Sequence, residues 1–230
     1  MKSAPPLDVL ADAGTLGIDA LPAAVATMAR AGIGWIQLRM KTDRGQRPLT
    51  DTARVDAARA CLDARDAAAA DGPRAALWIN DRVDLALLLD GFDGVHLGQD
   101  DLPPADARAL LGPDHRIGRS THDLPQLAAA AADPAVDVIA VGPVFATVSK
   151  PDASPVVGLD LVRRARAAAH GRPVVAIGGI DASNLRAVRD AGADTVAVLG
   201  AACGGGLADL PARLAALQDA LAPQTVETPA

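Results

Sequence analysis

The stretch Trp78-Ile79-Asn80-Asp81-Arg82-Val83-Asp84-Leu85 is followed closely by Gly94-Val95-His96-Leu97-Gly98-Gln99-Asp100. Each contains a short apolar run that ends in polar residues, with a carboxylate, Asp81 or Asp100, just past its end. If the two runs are neighbouring parallel strands, both acids share one rim. Mg²⁺ takes one or two protein carboxylates and completes its octahedron with water and substrate phosphates. The pair is therefore a candidate site for a metal-bound diphosphate. The same residues also suit plainer duties, Asp81 as a cap on the following helix and Asp100 in a solvated turn.

Other residues of matching chemistry occur at the ends of other apolar runs. Gln37 and Arg39 alternate along Gln37-Leu38-Arg39-Met40-Lys41, so a strand sends them to one side, with Lys41 just beyond. An arginine on the inner side of a buried strand needs an anionic partner. Gly118-Arg119-Ser120-Thr121-His122 offers two hydroxyls that could donate to phosphate or cap the next helix. His122, at a helix start, reads as a structural hydrogen-bonding group in preference to a general base. Gly142-Pro143-Val144-Phe145-Ala146-Thr147-Val148-Ser149-Lys150-Pro151 opens a long irregular segment that carries three prolines before Gly158. Such segments in a compact domain are usually functional. Gly178-Gly179 and Leu199-Gly200 place glycines where backbone N–H groups can approach a phosphate.

These residues require a scaffold that brings eight strand ends to one rim. Short β-prone runs alternate with Ala- and Leu-rich helical stretches along the whole chain, the pattern of a parallel α/β protein. Strands are expected near Leu7–Leu10, Gly34–Arg39, Ala75–Ile79, Gly94–Leu97, Arg116–Arg119, Asp137–Val141, Pro173–Ile177 and Thr195–Leu199. Helices are expected near Ala20–Ala31, Thr50–Asp71, Arg82–Leu89, Pro104–Leu111, Leu124–Ala132, Leu159–His170, Ala182–Ala191 and Leu207–Leu221. Eight such units fit a single (β/α)₈ TIM barrel over residues 1–222, whose active site lies at the C-terminal ends of the strands. Residues 223–230 read as a disordered tail. A doubly wound open sheet is the alternative fold, but no Gly-rich dinucleotide fingerprint follows the first strand. A faint repeat runs through Ala31-Gly32-Ile33-Gly34-Trp35-Ile36, Asp90-Gly91-Phe92-Asp93-Gly94-Val95 and Ala191-Gly192-Ala193-Asp194-Thr195-Val196. Each closes a helix with glycine and enters an even-numbered strand.

The chain has 230 residues, half of them hydrophobic, with two Phe, two Trp and no Tyr. Its core must be built of Ala, Val, Leu and Ile. Trp35 and Trp78 each precede a candidate site residue by two positions and should fill the barrel interior. So few aromatics exclude a base-stacking nucleic-acid platform. The net charge of −6 excludes general attraction to nucleic acid or anionic membrane, so a phosphate ligand needs a local basic cluster. Cys61 and Cys203 form neither a metal spacing nor a disulfide framework. No signal peptide or membrane span is read, so the expected location is the cytoplasm. Homo-oligomerisation is left open.

With these residues assembled, the chain resembles the thiamine-phosphate synthases. The likeness runs from about Gly32 to Ala202 and rests on six motifs in the family's order. They are Gln37-Leu38-Arg39-Met40-Lys41, Asn80-Asp81-Arg82, His96-Leu97-Gly98-Gln99-Asp100, Gly118-Arg119-Ser120-Thr121-His122, Gly142-Pro143-Val144-Phe145 with Thr147-Val148-Ser149-Lys150, and Gly178-Gly179-Ile180. The resemblance implies an enzyme that joins hydroxymethylpyrimidine diphosphate to a (carboxy)thiazole phosphate, releasing pyrophosphate, with Mg²⁺ as cofactor and small molecules as its partners. It implies that Gln37, Arg39, Lys41, Asn80, Ser120 and Lys150 hold the pyrimidine diphosphate, and that Asp81 and Asp100 hold Mg²⁺. Thr147, Val148, Ser149, Gly179, Leu199 and Gly200 would hold the thiazole phosphate. Arg39, Lys41 and Lys150 would carry the catalysis. Met40 stands where an acid is common, Ser149 where a threonine is usual, and Gly200 where a serine is common. Two other functions suit the same barrel: a thiazole tautomerase, and a non-catalytic phosphate-binding regulatory barrel.

Overall fold

The computed structural model describes residues 4–147 and 155–222. The expectation for residues 223–230 lies outside them. Eight parallel strands close into a ring in sequence order: β1 (Leu7–Asp12), β2 (Trp35–Arg39), β3 (Ala76–Asn80), β4 (Gly94–Leu97), β5 (Arg116–Thr121), β6 (Val138–Val141), β7 (Val174–Ile177) and β8 (Thr195–Val198). β1 pairs with both β2 and β8. The helices are α1 (Ala13–Leu16), α2 (Leu21–Arg30), α3 (Asp51–Ala68), α4 (Val83–Leu88), α5 (Pro104–Leu111), α6 (Leu124–Ala132), α7 (Gly158–Ala168), α8 (Leu185–Asp190), α9 (Gly200–Cys203) and α10 (Leu210–Leu221). The expected (β/α)₈ barrel is the fold. None of the described helices is long and apolar enough to cross a membrane.

Period-two alternation divides the strand residues between two cores. Ile36, Leu38, Leu77, Ile79, Val95, Leu97 and Ile117 face outward and pack beneath the helices. Leu10, Trp35, Trp78, Val138, Ala140, Val175 and Ala197 face inward and form the interior cluster. The two indoles lie 5.1 Å apart, tilted at 54°. Small residues make room for them: a Cβ at Gly94 would fall 2.9 Å from the Trp78 ring, and one at Gly118 would fall 2.7 Å from His96.

The repeat has a structural cause. Gly32, Gly91 and Gly192 all hold positive φ at helix ends, the left-handed conformation that favours glycine. Asp93 and Asp194 follow the last two of these glycines, and Asp137 stands at the same place before β6. Each Oδ2 accepts a backbone N–H from the preceding odd-numbered strand at 2.8 Å, from Leu77, Val174 and Ile117 respectively. Each carboxylate is also held by an arginine. Arg74 pairs with Asp93 at 2.9 Å, Arg108 with Asp137 at 2.5 Å, and Arg166 with Asp194 at 2.5 Å. The fully buried Arg65 adds a second contact to Asp93 at 3.2 Å. At β2 the place is taken by Gly34, because a Cβ there would lie 2.6 Å from Pro5. These clasps sit at the N-terminal end of the barrel, opposite the candidate rim.

Several elements differ in extent from the sequence expectation. β1 runs on to Asp12 and β5 to Thr121, so Ser120 is a strand residue rather than part of a helix cap; Asp123 caps α6 by accepting the Gln126 N–H at 2.8 Å. α8 begins at Leu185 instead of Ala182, because Asp181 accepts from the N–H and hydroxyl of Ser183 and holds those residues in a turn. α10 begins at Leu210, three residues later than expected, with a proline in its first turn. The short helices α1 and α9 were not foreseen.

Asp137→Ala and Asp194→Ala each remove the acceptor of a part-buried N–H and the partner of an arginine. Each is expected to cost about 1–3 kcal/mol, read as a lower urea midpoint with an unchanged slope. Midpoints equal to the parent's would show that the clasps contribute nothing to stability.

Candidate active site

The C-terminal ends of the strands surround a cavity of about 940 Å³ that extends down into the barrel. Gln37, Arg39, Lys41, Asn80, Asp81, Asp100, Ser120, Thr147, Gly179, Leu199 and Gly200 all line it. The structure thus brings together every expected site residue that it describes. Val148, Ser149 and Lys150 lie outside the described residues.

Arg39 has the anionic partner that its position demands. Asp12, at the end of β1, accepts from Arg39 Nη1 at 2.6 Å and from Thr15 Oγ1 at 2.8 Å. Both members of the pair are nearly buried, at 12% and 5% exposure. Arg39 Nε is buried without a partner, so the guanidinium keeps donor capacity beyond its ion pair. Lys41 reaches across to Asp81 at 2.7 Å and remains half exposed.

Asp81 does not cap α4. The residue before that helix is Arg82, whose guanidinium is engaged by Asp84 and Asp51. Asp81 itself holds φ at 64°, an uncommon left-handed conformation for a residue with a Cβ. Its N–H donates to the His96 carbonyl at 2.8 Å, which fixes the carboxylate toward the cavity. Asp101 approaches it: burial first, then a hydrogen bond to Asp81, raise the Asp101 carboxyl above its ordinary range. Asp101 also accepts the Gly98 N–H at 2.7 Å. Asp100 is the exposed neighbour on the same loop. Asp81, Asp101 and Lys41 thus sit together at one edge of the rim, with Asp100 exposed beside them on the same loop. Among the described residues no three His, Cys, Asp or Glu side chains form a metal cage. Asp81 and Asp100 line the cavity, and their carboxylate oxygens are a donor type that suits a hard, oxygen-seeking cation taking one or two protein carboxylates.

Across the rim, Ser120 Oγ and His96 Nε2 lie 2.8 Å apart in a hydrogen bond. The Gln99 amide donates to the Ser120 carbonyl at 2.5 Å. His122 holds the structural position expected of it, with its N–H on Gln126 at 2.8 Å and its Nδ1 at 2.5 Å from the Gly142 carbonyl. On the far side, Gly178 and Gly179 turn with φ of 103° and 64°. Side chains at either would collide with Pro143 or Phe145, so this stretch presents bare backbone to the cavity. After β8, Leu199 leads directly into α9.

Four residues of this site were not singled out from sequence: Asp8, Asp12, His96 and Asp101. Asp8 and Asp12 share the period-two phase of Leu10, and an acid inside an apolar run was the available signal. His96 interrupts β4 in the inward phase. Asp101 doubles the acid beside it.

A closed (β/α)₈ barrel with cations, acids and bare-backbone turns at its C-terminal rim defines a phosphate-handling enzyme scaffold. The family model for thiamine monophosphate synthase matches residues 9–202, and the chain belongs to that family. It is 47% identical over 169 residues to the thiamine-phosphate synthase of Mycolicibacterium paratuberculosis, covering 73% of each chain. It is 41% identical over 187 residues to that of a Synechococcus strain, where the match covers 81% of this chain and 49% of the relative. The chain spans about half the length of several cyanobacterial relatives it matches. A solved thiamine phosphate pyrophosphorylase from Pyrococcus furiosus superposes with a TM-score of 0.75 at 27% identity, over 94% of this chain and 95% of that one.

Deep in the cavity, burial pushes the Asp8 carboxyl from its ordinary 3.8 up to about 7, against the lowering effect of a hydrogen bond with Gln37. The folded chain then keeps a proton that the unfolded chain releases, so this group's contribution to stability falls as pH rises from about 4 to about 7. The loss is on the order of 4 kcal/mol, at about 1.4 kcal/mol per tenfold. The stability of the parent relative to Asp8→Asn is therefore expected to drop between pH 5 and pH 8 in urea unfolding. Parallel profiles would place the carboxyl in its ordinary range.

Proposed function

We propose that this chain couples 4-amino-2-methyl-5-hydroxymethylpyrimidine diphosphate to a thiazole phosphate, giving thiamine phosphate and pyrophosphate. The observation that carries the reading is the convergence of Gln37, Arg39, Lys41, Asn80, Asp81 and Ser120 on one cavity in a chain of this family. Arg39, Lys41 and Asn80 grip the diphosphate, with Gln37 below them and Ser120 opposite. Lys150 is assigned to the same clamp from its motif. Thr147, Val148, Ser149, Gly179, Leu199 and Gly200 take the thiazole phosphate, between the turn after β7 and the short helix α9. That is a recurrent phosphate position in this fold. Gly200 offers no hydroxyl, so backbone donors serve there.

The reaction needs no protein nucleophile. The aminopyrimidine feeds electrons to its exocyclic carbon, the C–O bond to diphosphate breaks, and the thiazole nitrogen closes on that carbon. Arg39, Lys41 and Lys150 stabilise the charge that grows on the departing diphosphate, an electrostatic role rather than an acid–base one. The crowded acids at the rim fit Mg²⁺, with Asp81 and Asp100 as its ligands and Asp101 beside them. When bound, the cation would neutralise diphosphate charge. Asp12 holds the Arg39 guanidinium in place.

Pyrophosphate release from purified protein given both substrates tests the reading. Arg39→Ala and Lys150→Ala are each expected to lose on the order of 3–4 kcal/mol of transition-state stabilisation, whereas His122→Ala loses little because its ring is committed to Gly142. A reversed ranking would indicate proton-transfer chemistry and defeat the synthase reading.

Asp81→Ala and Asp100→Ala test the cation. Each is expected to weaken Mg²⁺-dependent binding of the diphosphate substrate while thermal unfolding stays close to the parent's. Parent-like Mg²⁺ titrations in both variants would remove the metal assignment.

A further inference from the structure

Five buried side-chain polar atoms lack a hydrogen-bond partner among the described residues, and four of them belong to residues lining the barrel cavity: Asp8, Arg39, Trp78 and Asn80. Arg39 and Asn80 stand at the rim and are accounted for by the diphosphate. Asp8 is not. It lies four residues below Asp12 on β1, in register with Trp35 and Ala197, and is 5% exposed. It lines the cavity together with Leu10, the two indoles and Ala197 of the interior cluster. One carboxyl oxygen, Oδ1, is buried without a partner. A carboxyl so placed is costly unless something pairs with it.

We propose that Asp8 is the specificity-determining residue of the ring pocket, and that with Gln37 it grips the edge of an aminopyrimidine formed by a ring nitrogen and the adjacent exocyclic amine. The proposal rests on the reading of the rim as a diphosphate clamp and names what lies beneath it. The chemistry is complementary. A carboxyl offers a donor and an acceptor side by side, and the amidine-like edge offers an acceptor and a donor in the same plane. If the proton moves from Oδ1 to the ring nitrogen, the same two bonds remain and become charge-assisted. A single proton serves either arrangement, so the pair stays balanced.

Position supports the assignment. Gln37, Arg39 and Lys41 follow one another at two-residue steps, each about 6.6 Å along an extended chain. A ring held by Asp8 and Gln37 therefore leaves its diphosphate at the level of Arg39 and Lys41. The tilted indoles of Trp35 and Trp78 give the ring flat apolar walls, and the unpartnered Trp78 Nε1 supplies a further donor.

The test uses the full chain with Asp8→Leu, Asp8→Val and Asp8→Asn, and a diphosphate analogue carrying hydrogen in place of the ring amine. Asp8→Leu is expected to raise KM for the pyrimidine diphosphate a hundredfold or more, while inhibition by inorganic pyrophosphate stays within twofold. Asp8→Asn, whose amide keeps a donor beside an acceptor, should stay within tenfold of the parent. The parent should discriminate strongly against the analogue, and the leucine variant should bind both ligands alike; Asp8→Val gives the same comparison if leucine prevents folding. Parent-like KM in the apolar variants, or undiminished discrimination, overturns the proposal. If the parent releases no pyrophosphate, the synthase reading fails, and calorimetry with the unphosphorylated aminopyrimidine decides the inference by itself. Binding to the parent that is lost in Asp8→Leu upholds it, and equal or absent binding overturns it.

Discussion

Strand register is the constraint on which the rest of this molecule depends. In a closed parallel ring, a slip of one residue would turn every inward side chain outward, taking Gln37 and Arg39 from the cavity to the helix layer. Here the register is pinned at the end of the barrel remote from the chemistry. Asp93, Asp137 and Asp194 each accept one N–H near the start of a neighbouring strand, and each is held in turn by an arginine. The rim is left to residues chosen for reactivity. Asp81 in a left-handed conformation and Asp101 hydrogen-bonded to it are arrangements that cost stability locally.

The interior is graded from floor to rim. Small residues on β4, β5, β6 and β8 leave volume for two indoles, whose faces form an apolar chamber with one carboxyl in its wall. Above it the side chains become cationic at Arg39 and Lys41, then acidic at the loop that carries Asp100 and Asp101. A chain with net charge −6 thus concentrates positive charge locally, at Arg39 and Lys41 in the cavity wall.

Much of this was legible in the residues. Eight alternations of apolar run and helical stretch specify the barrel, and the polar residues that end each run mark its rim. Alternation along β2 placed Gln37 and Arg39 on one face, which the structure bears out. Local pattern could not reveal partners brought in by ring closure. Asp12 sits 27 residues from Arg39 and beyond the expected end of β1, so the buried pair was invisible until β1 and β2 were adjacent. Asp8 falls within an apolar run in the sequence, and only the closed ring shows that its phase is inward. The repeat was visible as glycines, but its purpose lay in the aspartates, which act on a neighbouring strand. The short helices α1 and α9 are too brief to carry a periodic signal.

The aspartate clasps also divide the chain. Each one ties an odd strand to the even strand that follows it, β3 to β4, β5 to β6 and β7 to β8, but the arginine of the middle clasp, Arg108, reaches Asp137 from α5, across the connection that leads into β5. Its turn exposes Pro113 and Asp114, far from the rim. A break there would leave each aspartate with the strand it binds but would put Arg108 on one half and Asp137 on the other, so the middle clasp would become a contact between the halves. Halves made as separate polypeptides are thus expected to find each other through the Arg108–Asp137 pair as well as the strand edges, with co-purification of the co-expressed halves as the measure.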